Sequence, residues 1–131
     1  MKIIPANGGR FNANTSQDRT YYYEVFPSNK LELGLWLESE RMLHSVIDQV
    51  GVDTQNEVVK EEKRQRYDAP YGKLLEVIGE NLYDKHPYKY PNIGYMEDLD
   101  ASTLEEFYAY FDKWYTPNNA VLIVAGDIEY D

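Results

Sequence analysis

The chain has 131 residues, of which 43% are hydrophobic and 27% are charged, a balance typical of a folded domain, or part of one, rather than of a disordered tail. Its formal net charge of −10 argues against nucleic-acid partners and against anionic membrane surfaces, because both require a basic face. The sequence has no cysteine, which excludes disulfides and thiolate metal sites, and no apolar run approaches the length of a membrane span.

Two strands are predicted near the start of the chain. The turn-rich segment Asn7-Gly8-Gly9 is followed by strand-like residues 10–13 and 20–26, and the second stretch contains three consecutive tyrosines. Aromatic and β-branched residues favour strands, and Pro27 ends the second one.

Two helices are predicted next from capping boxes, in which a residue that caps a helix is followed three positions later by Glu. The first box starts at Asn29, and Gly51 is expected to end that helix. The second box starts at Thr54 and opens a helix that ends near Arg66.

Two further helices are predicted in the second half of the chain. Pro70 opens one of them, with leucine and isoleucine recurring on a single face. A capping box at Ser102 opens the other, which is amphipathic and is stopped by Thr116-Pro117.

The apolar residues 120–125 are typical of a fully buried strand. The order strand, strand, helices, strand predicts an α+β fold, with helices packed on one face of a small, mainly antiparallel sheet. A sheet of three strands leaves long unpaired edges, so we expect neighbouring strands to lie outside this chain.

A carboxylate on the second predicted helix is the main candidate for metal chemistry. Gln55 and Glu62 are seven residues apart, so they share a helix face with Val58 and Val59, and Glu62 is expected to border the buried stripe. On composition alone, the preferred interpretation is a solvated charge run in which Glu62 pairs with Arg66 one turn later.

The two histidines do not form a metal motif. His44 falls on a predicted helix and His86 in a predicted turn, and no pair of histidines is spaced by one helical turn. A structural role for each histidine is therefore the preferred interpretation. Residues 11–16 could accept an extended peptide as an added strand, although an ordinary strand that leads into a turn is the preferred interpretation of these residues alone.

Many short motifs in one order nevertheless resemble the M16 metallopeptidases, the family of pitrilysin, insulin-degrading enzyme and the mitochondrial processing peptidases. The resemblance covers nearly the whole chain. It is carried by the stretches 8–16, 20–23, 37–42, 55–62, 68–72, 86–88, 92–94, 115–120 and 124–127.

This resemblance implies a zinc metalloendopeptidase of the LuxS/MPP-like metallohydrolase fold. By similarity, Glu62 is the distal zinc ligand, Gln55 replaces an acidic residue that often supports the site, and Asn12 and Ala13 lie on the substrate edge strand. The family's His-x-x-Glu-His motif would precede Gly8 and is absent from this chain.

We therefore expect residues 1–131 to be a single partial M16 domain that lacks the zinc-motif helix and the end of the domain, and to be inactive by itself. Its expected partners are a peptide substrate, the remainder of the catalytic domain and a second M16-like domain. A non-catalytic structural or peptide-binding subunit of the same family is the alternative. Missing strands also predict self-association through exposed apolar edges.

Overall fold

The computed structural model describes residues 2–128, which form two compact units, one of residues 2–46 with 110–128 and one of residues 47–109. The strands are β1 (Arg10–Ser16) and β2 (Arg19–Val25). The helices are α1 (Ile3–Ala6), α2 (Leu31–Leu43), α3 (Gln49–Asp68), α4 (Leu74–Leu82), α5 (Met96–Ala101) and α6 (Leu104–Trp114), and short 3₁₀ turns cover Ser28–Lys30, Pro87–Lys89 and Pro117–Asn119. None of the helices in the described part of the chain is long and apolar enough to cross a membrane.

The first unit contains an antiparallel hairpin. Strands β1 and β2 pair in register from Arg10 opposite Val25 to Ser16 opposite Arg19, so two residues connect them. Both predicted strands are present, and the predicted α+β class is confirmed. Within residues 2–128 the sheet has these two strands only.

Close packing at the start of the hairpin explains one glycine of the Gly8-Gly9 pair. A β-carbon on Gly9 would lie 2.6 Å from the ring of Phe26 and 2.9 Å from the side chain of Ile4. Ile4 is the most deeply buried apolar side chain of this unit, with 1% exposed. Glycine at position 9 thus lets the chain pass directly against the apolar contact that joins α1 to the end of β2.

The prediction of a strand at residues 120–125 is wrong for the described chain. These residues form no strand, although Ala120 has extended backbone angles. Val121, Leu122 and Ile123 are 87%, 65% and 78% exposed. A strand needs a partner for its backbone groups, and no strand within residues 2–128 pairs with this segment.

The first two helix boundaries also differ from the prediction. Helix α2 ends at Leu43, and α3 begins at Gln49 because the Asp48 carboxylate accepts a 2.6 Å hydrogen bond from the Gly51 amide. Gly51 therefore lies in the first turn of α3 instead of stopping α2. Thr54 lies inside α3, where its hydroxyl donates to the Val50 carbonyl, and Asn29 makes no side-chain cap.

The second unit consists of α3, α4, α5 and the start of α6. The capping box of α6 is formed by Thr103 and Glu106, which exchange hydrogen bonds of 3.3 Å and 2.9 Å, and not by Ser102 and Glu105 as predicted. Ser102 instead donates to the Leu99 carbonyl at the end of α5. Helix α5, which the sequence analysis did not predict, thus occupies the residues immediately before this cap.

Candidate metal-ligand and peptide-binding residues

Glu62 lies on the exposed face of α3. Its side chain is 59% exposed, and its Oε1 accepts a 2.9 Å hydrogen bond from the guanidinium of Arg66, one turn later. Val58, one turn earlier, is 54% exposed. The expectation that Glu62 borders a buried stripe is wrong for the described chain, because the buried face of α3 carries Val52 and Lys63.

Gln55 shares the exposed face with Glu62, nearly two turns earlier in α3. The structure therefore places the two residues on one side of one helix, as the spacing predicts.

Lys63 fixes the rotation of α3 from its buried side, and the sequence analysis missed it. Its side chain is 4% exposed, and its Nζ donates to the Gly94 carbonyl at 2.5 Å and lies 3.4 Å from Glu76 Oε2 on α4. The rings of Tyr67 and Tyr95 lie 5.0 Å and 5.2 Å from the same ammonium. Lys63 stands inside the run Glu-Glu-Lys-Arg, so nothing in its immediate sequence distinguishes it from a solvated charge.

A second group of contacts holds α3 about two turns before Lys63, nearer the start of the helix. Asn56 donates hydrogen bonds of 3.1 Å to the Leu99 carbonyl and 3.0 Å to the Ser102 hydroxyl, at the end of α5. Lys60 pairs with Asp100 at 2.5 Å. Because Asn56, Lys60 and Lys63 recur at helical spacing, they define one polar face that determines which way the Glu62 face points.

The histidines occupy structural positions. The His44 ring follows the end of α2 and pairs with Glu40 at 3.0 Å, and it is 66% exposed. His86 Nδ1 accepts from the Tyr88 amide at the start of a 3₁₀ turn, and its ring packs 4.4 Å from that of Tyr88.

These donors do not by themselves fit a zinc site. Zinc in catalytic sites is held by three protein ligands, usually nitrogen and oxygen donors. Among residues 2–128, no group of three histidine, aspartate or glutamate side chains could hold a metal ion. Glu62 offers one carboxylate, so a zinc site at this face would need donors from outside the described residues.

The hairpin places Asn12 and Ala13 in the middle of β1, where both are exposed. Ala13 lies opposite Tyr22, and its amide donates a 2.8 Å hydrogen bond to the side-chain oxygen of Asn12. A cavity of about 230 Å³ adjoins them. It is lined by Phe11, Asn12, Ala13, Tyr22, Tyr23 and Arg41.

An ion cluster beneath the hairpin attaches β2 to α2. The Arg41 guanidinium contacts Glu38 at 2.9 Å and Glu24 at 3.1 Å, and it stacks over the Tyr22 ring at 4.3 Å. The Tyr22 hydroxyl shares a 2.6 Å hydrogen bond with that of Tyr115, and burial, with this bond, raises the pKa of Tyr22. The cluster therefore fixes the strand that lies opposite Ala13.

Glu24 is a buried carboxyl group in this cluster, and only one of its two oxygens has a partner among residues 2–128. Its side chain is 7% exposed, and its Oε2 is buried with no hydrogen-bond partner in the described chain. Burial raises the pKa of the Glu24 carboxyl, and the nearby Glu38 carboxylate raises it further, while Arg41 opposes both effects.

Comparison with known proteins supports one family. The chain is 34% identical over 128 residues to the zinc protease PqqE of Helicobacter pylori and 33% identical over 130 residues to an uncharacterized zinc protease of Mycobacterium leprae. These alignments cover 97% and 99% of this chain, which spans 29% of the length of each relative.

A solved structure agrees with this relationship. The crystal structure of a protease from Helicobacter pylori matches with a TM-score of 0.85 and 32% sequence identity, over 90% of this chain and 29% of that one. Family descriptions match at the sequence level as well. Residues 101–131 match the "Peptidase M16 inactive domain", and residues 1–94, more than half of the chain, match "Insulinase (Peptidase family M16)". The chain therefore belongs to the M16 family of peptidases.

Proposed function

We propose that this chain is a partial domain of a zinc-dependent metalloendopeptidase and that Glu62 supplies one of the zinc ligands. The observation that carries the proposal is the exposed carboxylate of Glu62, on a helix whose rotation is fixed by buried contacts, inside the segment that matches the insulinase family. The relatives named zinc proteases support the choice of metal.

The other metal ligands and the group that activates water would come from residues outside this chain. Zinc bound there would polarise the scissile carbonyl and lower the pKa of a water molecule. The chain's own contribution is to present Glu62, while Gln55 could donate a hydrogen bond that orients a ligand from the same helix face. By itself the chain is inactive, because one carboxylate does not hold zinc tightly.

The hairpin is the proposed binding place for the peptide substrate. Asn12 and Ala13 are exposed on β1, whose second edge is unpaired within residues 2–128. An extended peptide can join such an edge through backbone hydrogen bonds. Because these bonds do not involve the peptide side chains, the edge can bind peptides of many sequences. The remainder of the catalytic domain and a second M16-like domain are the proposed protein partners.

Substitution of Glu62 tests the metal role in the gene product that contains this chain. We expect Glu62→Gln to lower the zinc content about tenfold or more and to abolish chelator-sensitive peptide hydrolysis, because an amide is a poor zinc ligand. Glu61→Gln is the matched control, since Glu61 is 56% exposed on the same helix and pairs with Arg64. Equal zinc content in both variants would contradict the ligand role.

A non-catalytic subunit that binds peptides or supports another chain is the second candidate. The match of residues 101–131 to the family's inactive domain favours it, as does glutamine at position 55. This candidate predicts that no assembly containing the chain binds zinc through Glu62. Metal analysis of purified assemblies therefore separates the two functions.

A further inference from the structure

The open edge of β1 is formed by alternate residues. In an antiparallel pair, residues that exchange hydrogen bonds with the partner alternate with residues whose amide and carbonyl groups point away from it. The two-residue connection makes Ser16 and Arg19 a hydrogen-bonded pair. Counting back from this pair, Phe11, Ala13 and Thr15 point their backbone groups away from β2.

The central donor of this edge is already occupied. The Ala13 amide donates to the Asn12 side-chain oxygen at 2.8 Å, so a neighbouring side chain satisfies it instead of a strand. We propose that Asn12 is an internal cap that closes the middle of the β1 edge and must swing away before an extended peptide can pair with Ala13. This inference rests on the proposed function for its ligand, an extended peptide.

The chemistry of the cap defines what can replace it. The peptide residue opposite Ala13 must offer a carbonyl to the Ala13 amide and an N–H to the Ala13 carbonyl, because an added antiparallel strand exchanges both bonds there. A residue without an N–H supplies only one of them.

A second asparagine on the same strand provides a matched control. Asn14 also projects from β1, but its side-chain oxygen accepts a 3.0 Å hydrogen bond from the Arg19 guanidinium. Asn14→Ala therefore removes the same side chain from the same face without releasing the Ala13 amide.

Hydrogen exchange of the Ala13 amide tests the cap directly. Read by mass spectrometry on dilute chain, exchange should be about fivefold faster in Asn12→Ala, the ratio that corresponds to one lost hydrogen bond, and unchanged in Asn14→Ala. Asn12→Asp keeps an oxygen at the capping position and should retain the protection. Equal exchange in the wild type and Asn12→Ala would overturn the cap.

Peptide binding tests the closure separately. The probe is a labelled ten-residue peptide of alternating valine and lysine, followed by fluorescence anisotropy, and the control is its backbone N-methylated form. We expect Asn12→Ala to bind the probe about fivefold more tightly than the wild type, and no variant to bind the methylated form. Equal affinities would overturn the closure, whereas faster exchange without any peptide binding would leave the cap intact and contradict the proposed peptide site.

Discussion

At the scale of single residues, the fold holds the Glu24 carboxyl in a buried position that disfavours its charged form. Its carboxyl shares one guanidinium with Glu38 and has an oxygen with no partner among residues 2–128. Burial is the main reason that its pKa is raised, and Glu38 adds to it. The folded chain therefore binds a proton at Glu24 more tightly than the unfolded chain does, although the Arg41 guanidinium still favours the charged form.

The raised pKa of Glu24 predicts that the chain loses stability as pH rises. The folded state binds the proton more tightly than the unfolded state, so the contribution is present below the ordinary pKa of 4.5 and is lost as pH rises through the folded pKa. Glu24→Gln should remove this loss and flatten the dependence of unfolding free energy on pH above that value. Denaturant unfolding across pH measures it, with the exposed Glu32→Gln as control. A Glu24→Gln profile parallel to that of the wild type would contradict the assignment.

At the scale of elements, α3 is the helix whose ends and orientation matter most for the proposed site. Its start depends on Asp48, and its rotation depends on the polar face of Asn56, Lys60 and Lys63. Tyr67 extends this face by donating to the same Glu76 carboxylate that Lys63 approaches. The exposed face that carries Glu62 is set by contacts on another side of the helix.

Removing the buried ammonium should release this helix. Lys63→Met leaves the partly buried Glu76 without its cation and the Gly94 carbonyl without its donor, and it should lower the free energy of unfolding by about 3 kcal/mol. The exposed Lys85→Met is the control and should change stability by less than about 0.5 kcal/mol. The double variant Lys63→Met with Glu76→Gln should recover part of the loss, because no unpaired charge remains. Thermal or denaturant unfolding measures these differences. Equal effects of Lys63→Met and Lys85→Met would contradict the role of the buried Lys63 contacts in holding α3.

Sequence patterns predicted the kinds of element better than their boundaries. The tyrosine-rich strand was predicted from its aromatic and β-branched residues, and the amphipathic α6 from apolar residues that recur at helical spacing. The capping boxes were misplaced because several residues could cap each helix, and Asp48 and Thr103 formed the caps rather than Thr54 and Ser102. The free energies of alternative caps at neighbouring positions differ by only about 1 kcal/mol, and a pattern of residue types does not resolve so small a difference.

The site was predictable in part. The seven-residue spacing placed Gln55 and Glu62 on one helix face, whereas the exposure of that face depends on the contacts of Lys63 with distant residues. Gly94 and Glu76, which receive the ammonium, are 31 and 13 residues away in sequence. Periodicity within one helix carries no information about such contacts.

At the scale of the whole molecule, the chain leaves much apolar surface uncovered. Val121 is 87% exposed, Leu75 82% and Ile123 78%, and the buried apolar side chains among the described residues are Ile4 and Val52. Surfaces of this kind are usually covered by protein. The relatives are more than three times as long as this chain, so additional polypeptide is available to them for that purpose.

The exposed apolar surface predicts that the isolated chain self-associates. Sedimentation velocity at micromolar concentration should show species larger than a monomer, because Val121, Leu122 and Ile123 can pair with a second copy. Leu122→Lys with Ile123→Lys should shift the distribution towards monomer. The matched control, Lys substitutions at the polar exposed residues Asn118 and Asn119, should leave it unchanged. A monomeric wild-type chain would contradict this prediction.

The burial of Lys63 also distinguishes it chemically from the exposed lysines of the chain. An amine-reactive ester needs room to approach the lysine nitrogen, and Lys63 offers none while that nitrogen is enclosed by two tyrosine rings, a carboxylate and a carbonyl. The same nitrogen becomes as accessible as any other once these partners separate. The rate at which Lys63 becomes labelled therefore reports how often the unit that contains Glu62 opens.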